Sequence, residues 1–163
     1  MTDMIRYRTS SIDGPLPADA LTVEGQIGHC CKLACYSAVH SSMGIKAFIE
    51  HLSAPIALNQ IKLYFNRFGQ CVGYVVWAYL SPRTEKRLLT EPDYRLKDYE
   101  WSEGQSLWIV DFLVPHGSLD LVLVDFRDNL FAKDKSVTYF RLKSRKRIAK
   151  QLSRQDSCSF FKK

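Results

Sequence analysis

The spacing of apolar residues in the first half of the chain predicts two helices followed by a hairpin. Apolar positions recur at helical spacing over residues 27–41 and 44–52, and Pro55 is expected to close the second helix because proline interrupts helical hydrogen bonding. Residues 61–65 then alternate as a strand does, and residues 70–80 form a longer apolar run after a turn.

The second half adds two strands, two helices and a short C-terminal helix. The strands are expected at residues 107–114 and 136–142. A short helix is expected from its N-cap at Ser81 to Leu89, an amphipathic helix at residues 118–131, and a short C-terminal helix around Ile148 and Leu152. This order of elements predicts an α+β fold in which helices flank a mixed central β-sheet.

One folded domain with two terminal segments is expected to account for the chain. A length of 163 residues suffices for a single buried core. We expect residues 1–26 to form a mobile N-terminal arm, residues 27–153 to form the folded domain, and residues 154–163 to form a C-terminal tail.

The composition predicts a cytoplasmic protein. No run of about 18 apolar residues is present, so no membrane span is expected. The first residues lack the apolar core of a signal peptide. The five cysteines are an odd number and include the adjacent Cys30 and Cys31, which does not suggest a disulfide framework and fits a reducing compartment.

The basic residues concentrate at the C-terminal end. Residues 131–163 hold 11 Lys and Arg against 2 Asp and Glu, whereas the rest of the chain holds 12 against 15. Such a segment is either a docking surface for an acidic partner or a solvated terminus, and the sequence leaves both interpretations open.

Asp111 is the most informative single residue, because it interrupts a strand that is otherwise apolar. An ionised carboxylate buried without a partner would cost several kcal/mol, roughly the penalty for burying an unpaired charge. Asp111 therefore requires a hydrogen-bond donor or a cation. The four histidines are its possible partners. His40 is the candidate base among them, since a carboxylate fixes the tautomer of an imidazole and makes it a better base, although a half-buried structural histidine would fit the same pattern. Ser37 lies three residues before His40 and shares its helical face.

The same segment also contains residues that could bind zinc or act as a nucleophile. Four potential zinc ligands lie close together, but adjacent cysteines point in different directions on a helix and no second ligand pair follows, so no metal site is expected. The four residues are His29, Cys30, Cys31 and Cys35. Cys35 could act as a nucleophile beside His40, although such cysteines are more often small core residues. His29 and His51 are expected at helix ends, and His116 in a turn. No glycine-rich phosphate loop occurs, so no cofactor-binding residues are assigned.

An ordered set of short motifs resembles the RTX toxin-activating lysine acyltransferases over roughly residues 28–131. The motifs are Gly28-His29, Ser37-Ala38-Val39-His40, Trp77-Ala78-Tyr79-Leu80-Ser81, Trp101, Gly104 and the run from Trp108 to Gly117.

This resemblance implies a GNAT-like acyltransferase fold, with residues 27–153 as the acyltransferase domain. It implies a protein that takes a fatty acyl chain from acyl-acyl carrier protein, with no bound cofactor, and places it on internal lysines of an RTX-type protoxin. Family members often form homodimers. The family's histidine falls on His40, its aspartate on Asp111 and its serine on Ser37. These positions imply His40 as general base, Asp111 as the group that orients it, and Ser37 as a donor to the acyl oxygen or a second group that orients His40.

Two rival functions remain at this stage. One is a GNAT-like acyltransferase with another acceptor, such as a small amine. The other is a non-enzymatic module whose basic C-terminal segment binds nucleic acid. Nucleic acid is not expected as a partner, because aromatic and basic residues are not interleaved as on a single-strand binding surface. After Phe131 the chain is shorter than is typical of the family, so donor and acceptor contacts are expected to differ there.

Overall fold

In the part of the chain that the structure describes, six strands form one mixed sheet whose spatial order follows the sequence. The computed structural model describes residues 9–11, 16–143 and 146–153. The strands are β1 (Thr9–Ser11), β2 (Ile61–Phe65), β3 (Cys71–Leu80), β4 (Ser106–Leu113), β5 (Ser136–Lys143) and β6 (Lys146–Ser153). The pairs β1–β2 and β4–β5 are parallel, and the other neighbours are antiparallel.

Helices cover both faces of the sheet. They are α1 (Val23–Ala34), α2 (Ala38–Ser41), α3 (Ile45–Ala57), α4 (Pro82–Thr90), a 3₁₀ turn (Asp98–Trp101), α5 (Leu119–Asp125) and a π-helical turn (Phe126–Leu130). The predicted α+β class and the mixed sheet flanked by helices are therefore confirmed. Among the helices that the structure describes, none is both long enough and apolar enough to cross a membrane.

Two apolar cores lie on opposite faces of the sheet. Leu63 and Phe65 belong to the core shared with α1 and α3, whereas the intervening Tyr64 belongs to the core shared with α5. All five residues of β2 are buried, as expected of a strand that is covered on both faces. The larger core holds α1 and α3, and the short helix α2, which carries His40, lies between them in the chain.

The first predicted helix is wrong in one respect that matters for the site. The segment 27–41 is two helices, because α1 ends at Ala34 and Ser37 adopts an extended backbone that begins α2. A serine with a free side-chain oxygen competes for backbone N–H groups and so favours a helix start over a helix interior. In addition, α1 begins at Val23, within the predicted N-terminal arm, and Thr9–Ser11 pair with β2.

Pro55 does not end the second helix, which runs to Ala57 with Pro55 buried in its last turn. Proline at this position removes only the backbone hydrogen bond to the carbonyl of His51. The helix ends two residues later, where such hydrogen bonds are absent in any case. The extension places His51 inside α3, so its assignment to a helix end is also wrong.

The C-terminal segment around Ile148 and Leu152 is a strand and not the predicted helix. Two apolar residues four positions apart share a face in a helix and equally in a strand, so their spacing could not decide between the two. Pairing with β5 decides it, with Leu152 opposite Val137. The predicted tail at 154–163 lies outside the described residues.

A β-bulge in β4 determines the direction of Asp111. Val76 pairs with Asp111 and Trp77 pairs with Ile109, which leaves Val110 as an extra residue. Val110 packs against the core of α1 and α3, and the side chain of Asp111 points to the same face. Without the extra residue, strict alternation would turn Asp111 toward α5.

The parallel strands β4 and β5 separate soon after they meet. They share two residue pairs, Trp108 with Thr138 and Ile109 with Tyr139. Beyond Ile109 the two strands diverge and open a cleft between them.

Candidate active site

The local geometry of the α1–α2 turn brings Ser37 and His40 into contact. Ser37 has an extended backbone (φ −117°, ψ 121°), and its hydroxyl accepts the backbone N–H of His40 at 3.4 Å. The same oxygen lies 2.7 Å from Nδ1 of the His40 ring. One helix cap therefore also fixes one side of the imidazole.

The carboxylate of Asp111 accepts four hydrogen bonds, two on each oxygen. Its Oδ1 lies 2.9 Å from Nε2 of His40 and 2.8 Å from the backbone nitrogen of Phe112. Its Oδ2 lies 2.8 Å from the hydroxyl of Tyr74 and 3.2 Å from Nε2 of His51. The Asp111 side chain is only 9% exposed. These four donors supply the hydrogen bonds that a buried carboxylate needs in place of water.

The electrostatic environment keeps Asp111 ionised. Burial by itself would raise the pKa of this carboxyl, but hydrogen bonds from His40 and His51 outweigh burial and lower the pKa well below its ordinary value. In turn, the hydrogen bond to Asp111 outweighs burial at His40 and raises the pKa of its imidazole. The pKa of Tyr74 is raised, first by burial and then by the charge of Asp111, so Tyr74 stays a donor.

Ser37, His40 and Asp111 form a continuous chain of hydrogen bonds. Because an ionised carboxylate can only accept, Nε2 of neutral His40 carries the ring hydrogen and donates it to Asp111. Nδ1 is then an acceptor, and the hydroxyl of Ser37 donates to it. Both ring nitrogens are thus occupied, and a proton can reach His40 through Ser37.

A cleft of about 1210 Å³ opens beside this chain of residues. Its walls are β4, β5, α5 and the ends of β6, and it is lined by both Ser37 and His40. The apolar part of its lining comes from aliphatic and aromatic side chains: Val39, Ile109, Leu113, Leu119, Leu123, Phe126, Phe131, Val137 and Phe140. Three of its basic residues are Lys135, Arg141 and Arg147. The arrangement can hold a long apolar group next to a base.

The structure brings the three predicted site residues together, although 71 positions separate His40 from Asp111. Sequence reasoning missed Tyr74 and His51. Tyr74 lies two residues from Val76, the partner of Asp111 across β3 and β4, so only the register of the hairpin could have revealed it. His51 lies inside α3, and its expected place at a helix end gave no reason to put it beside Asp111.

The cysteines considered as nucleophiles or ligands do not join the site. Cys35 is exposed, and its thiol donates to the carbonyl of Cys31 at 3.4 Å. Cys30 is buried in the core, where burial first, and then nearby charges, raise its pKa far from the thiolate range. Within residues 9–11, 16–143 and 146–153, no group of three His, Cys, Asp or Glu is placed to hold a metal ion.

The two remaining histidines lie outside the chain of hydrogen bonds. Nε2 of His29 is 3.4 Å from Oδ1 of Asp19, and His29 does not line the cleft. His116 follows β4 and stacks edge-on against Tyr36 at 4.3 Å. The stacked pair joins the turn before Ser37 to the loop after Asp111.

Comparison with known proteins identifies similar sequences. The sequence model of the RTX toxin acyltransferase family (HlyC) matches residues 20–155. The lysine-acyltransferase RtxC of Vibrio cholerae is 23% identical over 109 residues, which are 67% of this chain and 71% of RtxC. The RTX-II toxin-activating lysine-acyltransferase ApxIIC of Actinobacillus pleuropneumoniae is 25% identical over 101 residues, 62% of each protein.

A third similar sequence is the uncharacterized protein sll0720 of Synechocystis, which is 28% identical over 88 residues, 53% of this chain and 59% of that protein. The chain therefore spans about three-fifths of the length of two of these three relatives. His40 and Asp111 both lie within the range that the family model covers.

Proposed function

This chain belongs to the RTX toxin acyltransferase family, and from that membership we propose that it is a protein-lysine acyltransferase. It moves a fatty acyl chain from acyl-acyl carrier protein to internal lysines of an RTX-type protoxin. Two named relatives are lysine-acyltransferases, which supports the reaction type. The observation that carries the proposal is the hydrogen-bonded chain of Ser37, His40 and Asp111 at the wall of an apolar cleft.

His40 acts as the general base in this proposal. A lysine is an ammonium ion near neutral pH and must lose a proton before its nitrogen can attack a thioester. Because Nδ1 of His40 already accepts from Ser37, the Ser37 hydroxyl passes its hydrogen to Nδ1 as it takes one from the lysine. Asp111 orients the ring and stabilises the imidazolium that forms.

The bond changes then balance without a further reactant. The neutral lysine nitrogen attacks the thioester carbon, forming a C–N bond and a tetrahedral oxyanion. The attacking nitrogen, now cationic, releases its second proton to solvent as the oxyanion collapses and the C–S bond breaks, and the departing thiolate takes the proton held by His40. The products are an amide on the lysine and a free thiol on the carrier. Attack by Ser37 itself, through an acyl-enzyme, would use the same three residues.

The cleft suits the donor at both its centre and its rim. A fatty acyl chain gains about 0.8 kcal/mol for each methylene that leaves water, and the apolar lining offers that burial. Lys135, Arg141 and Arg147 fit the acidic surface and the phosphate of an acyl carrier protein by charge. The GNAT-like assignment has the family resemblance as its support, and the cleft between the diverging strands β4 and β5 offers room for the donor.

A homodimer and a cytoplasmic location complete the proposal. The homodimer has the family resemblance as its support, and sedimentation equilibrium measures it directly. The cytoplasmic location rests on composition, since an odd cysteine number gives no disulfide framework and the described cysteines are unpaired.

Mass spectrometry of the acceptor tests the proposed reaction. The protein is mixed with acylated carrier protein and a lysine-bearing protoxin fragment, and the mass added to the fragment is followed with time. We expect transfer by the wild type and a loss of at least a hundredfold in His40→Ala, as expected when a general base is removed. His29→Gln, which changes a histidine outside the site, is the matched control and keeps the wild-type rate.

Three outcomes would contradict parts of the proposal. Transfer that persists in His40→Ala would remove the assigned base. Transfer to a small amine but not to the protein fragment would favour a different acceptor. A serine-linked acyl group trapped on Ser37 would replace direct transfer by an acyl-enzyme route.

A further inference from the structure

His51 holds the second oxygen of Asp111, and the proposed mechanism does not use it. Its Nε2 lies 3.2 Å from Oδ2, while His40 contacts Oδ1 of the same carboxylate. The His51 side chain is 27% exposed, compared with 13% for His40. Because an ionised carboxylate only accepts, Nε2 of His51 carries a hydrogen in both of its protonation states.

We propose that His51 is a positioning residue that limits how strongly Asp111 holds the imidazolium of His40. The inference rests on the proposed function, because it concerns the base of that reaction. His51 does not touch the substrate in this proposal. It acts through the carboxylate, by occupying Oδ2 with a hydrogen-bond donor.

His40 and His51 share one negative charge, that of the Asp111 carboxylate. A carboxylate that accepts more hydrogen bonds is a weaker base, since each donor stabilises the ionised form. Asp111 already raises the pKa of His40. If Oδ2 lost its donors, the negative charge would act more strongly on His40, and the ring would stay protonated to a higher pH. A protonated His40 cannot accept a proton, so His51 keeps the base usable near neutral pH.

The groups around the carboxylate come from every element packed against it. Cys30 faces it from α1, His40 from α2, His51 from α3 and Tyr74 from β3. On α3 itself, the charged Lys46 and Glu50 pair with each other at 3.8 Å and are exposed. Tyr74 shares Oδ2 with His51, so the two donors act on the same oxygen.

A purely structural role for His51 predicts something different. Loss of packing between α3 and the sheet would lower the folded fraction, or lower kcat by the same factor at every pH. It would not move the pH at which His40 titrates. The titration midpoint of His40 therefore separates the two roles.

The test compares His51→Leu, which removes the donor, with His51→Gln, whose amide can still donate to Oδ2. The midpoint of His40 is followed by NMR of its ring, and kcat/KM is measured across pH. In His51→Leu we expect a higher midpoint. Its kcat/KM should be roughly threefold to tenfold below that of the wild type at pH 6 and close to it at pH 9, since only part of the effect of the lost hydrogen bond reaches His40 through the carboxylate. His51→Gln should stay close to the wild type in both measurements.

Tyr74→Phe removes only a hydroxyl from the same oxygen and should raise the midpoint in the same direction. If His51→Leu does not fold, the same two measurements are made on Tyr74→Phe. An unchanged or lower midpoint in a folded variant without a donor would overturn the inference, as would a shift in His51→Gln equal to that in His51→Leu. The NMR titration does not depend on acyl transfer. If the titration midpoint of His40 moves as expected but the protein has no transferase activity, the result would contradict the proposed function and support the role of His51.

Discussion

Replacement of Asp111 by asparagine tests the site most sharply, because the neighbouring donors dictate how the amide must sit. The backbone N–H of Phe112 donates to Oδ1 and cannot reverse its role. The oxygen of an asparagine must therefore occupy the Oδ1 position, and its NH₂ group must face Tyr74 and His51. A tyrosine hydroxyl can accept as well as donate, and an imidazole can change tautomer.

This orientation of the amide determines how far the rate of acyl transfer should fall in Asp111→Asn. Nε2 of His40 still finds an acceptor, so the ring keeps the tautomer that receives a proton from Ser37. Only the charge on the acceptor disappears. A hydrogen bond to a charged group contributes about 1.5–3 kcal/mol, so the rate of transfer should fall by about 10- to 150-fold. A triad whose amide imposes the wrong tautomer loses about 10⁴-fold, which is the contrasting case.

Acyl transfer to a protoxin fragment measures the loss, with circular dichroism to verify the fold. Glu103→Gln is the matched control, because this carboxylate also accepts side-chain hydroxyls, from Ser81 and Thr84, but lies outside the cleft lining. It should keep the wild-type rate. A loss of 10⁴-fold or more in a folded Asp111→Asn protein would refute the orientation argument, and a loss below about threefold would show that the charge is not used.

Three further predictions concern the helix cap, the titration of the base and the buried ion pair. Ser37→Ala should reduce transfer at least tenfold and lower the free energy of unfolding by about 1 kcal/mol, the usual value of an N-cap, whereas Ser37→Thr should restore both in kinetic and urea measurements. The pKa of His40 is raised, and the base must be neutral, so the acidic limb of kcat/KM should have its midpoint above about 6.5, the ordinary value for histidine; a midpoint below that value would contradict the pairing with Asp111. Lys62 is 3% exposed and lies 2.8 Å from Asp125, so Lys62→Met should lower the free energy of unfolding by about 3 kcal/mol in urea; an unchanged urea midpoint would mean that the pair contributes nothing.

Much of the fold could be predicted from the chain because its strands carry local signals. The hairpin of β2 and β3, the cap at Ser81 and the strand that contains Asp111 are where apolar runs and turn residues indicate them. The errors arise where a pattern fits two structures. Ile148 and Leu152 are four residues apart and satisfy both helix and strand, and only β5, a distant part of the chain, selects the strand.

The site itself could be predicted in its residues but not in its geometry, and β4 shows why. Alternation along this strand predicts that Asp111 faces α5, away from His40. The extra residue Val110 reverses that direction, and it is extra only because Val76 and Trp77 pair with residues on either side of it. Register between two strands thirty residues apart is a tertiary property, so no window of local sequence contains it. The place where the local rule fails is also where the carboxylate meets the base, as expected if a regular strand has been deformed to build a functional site.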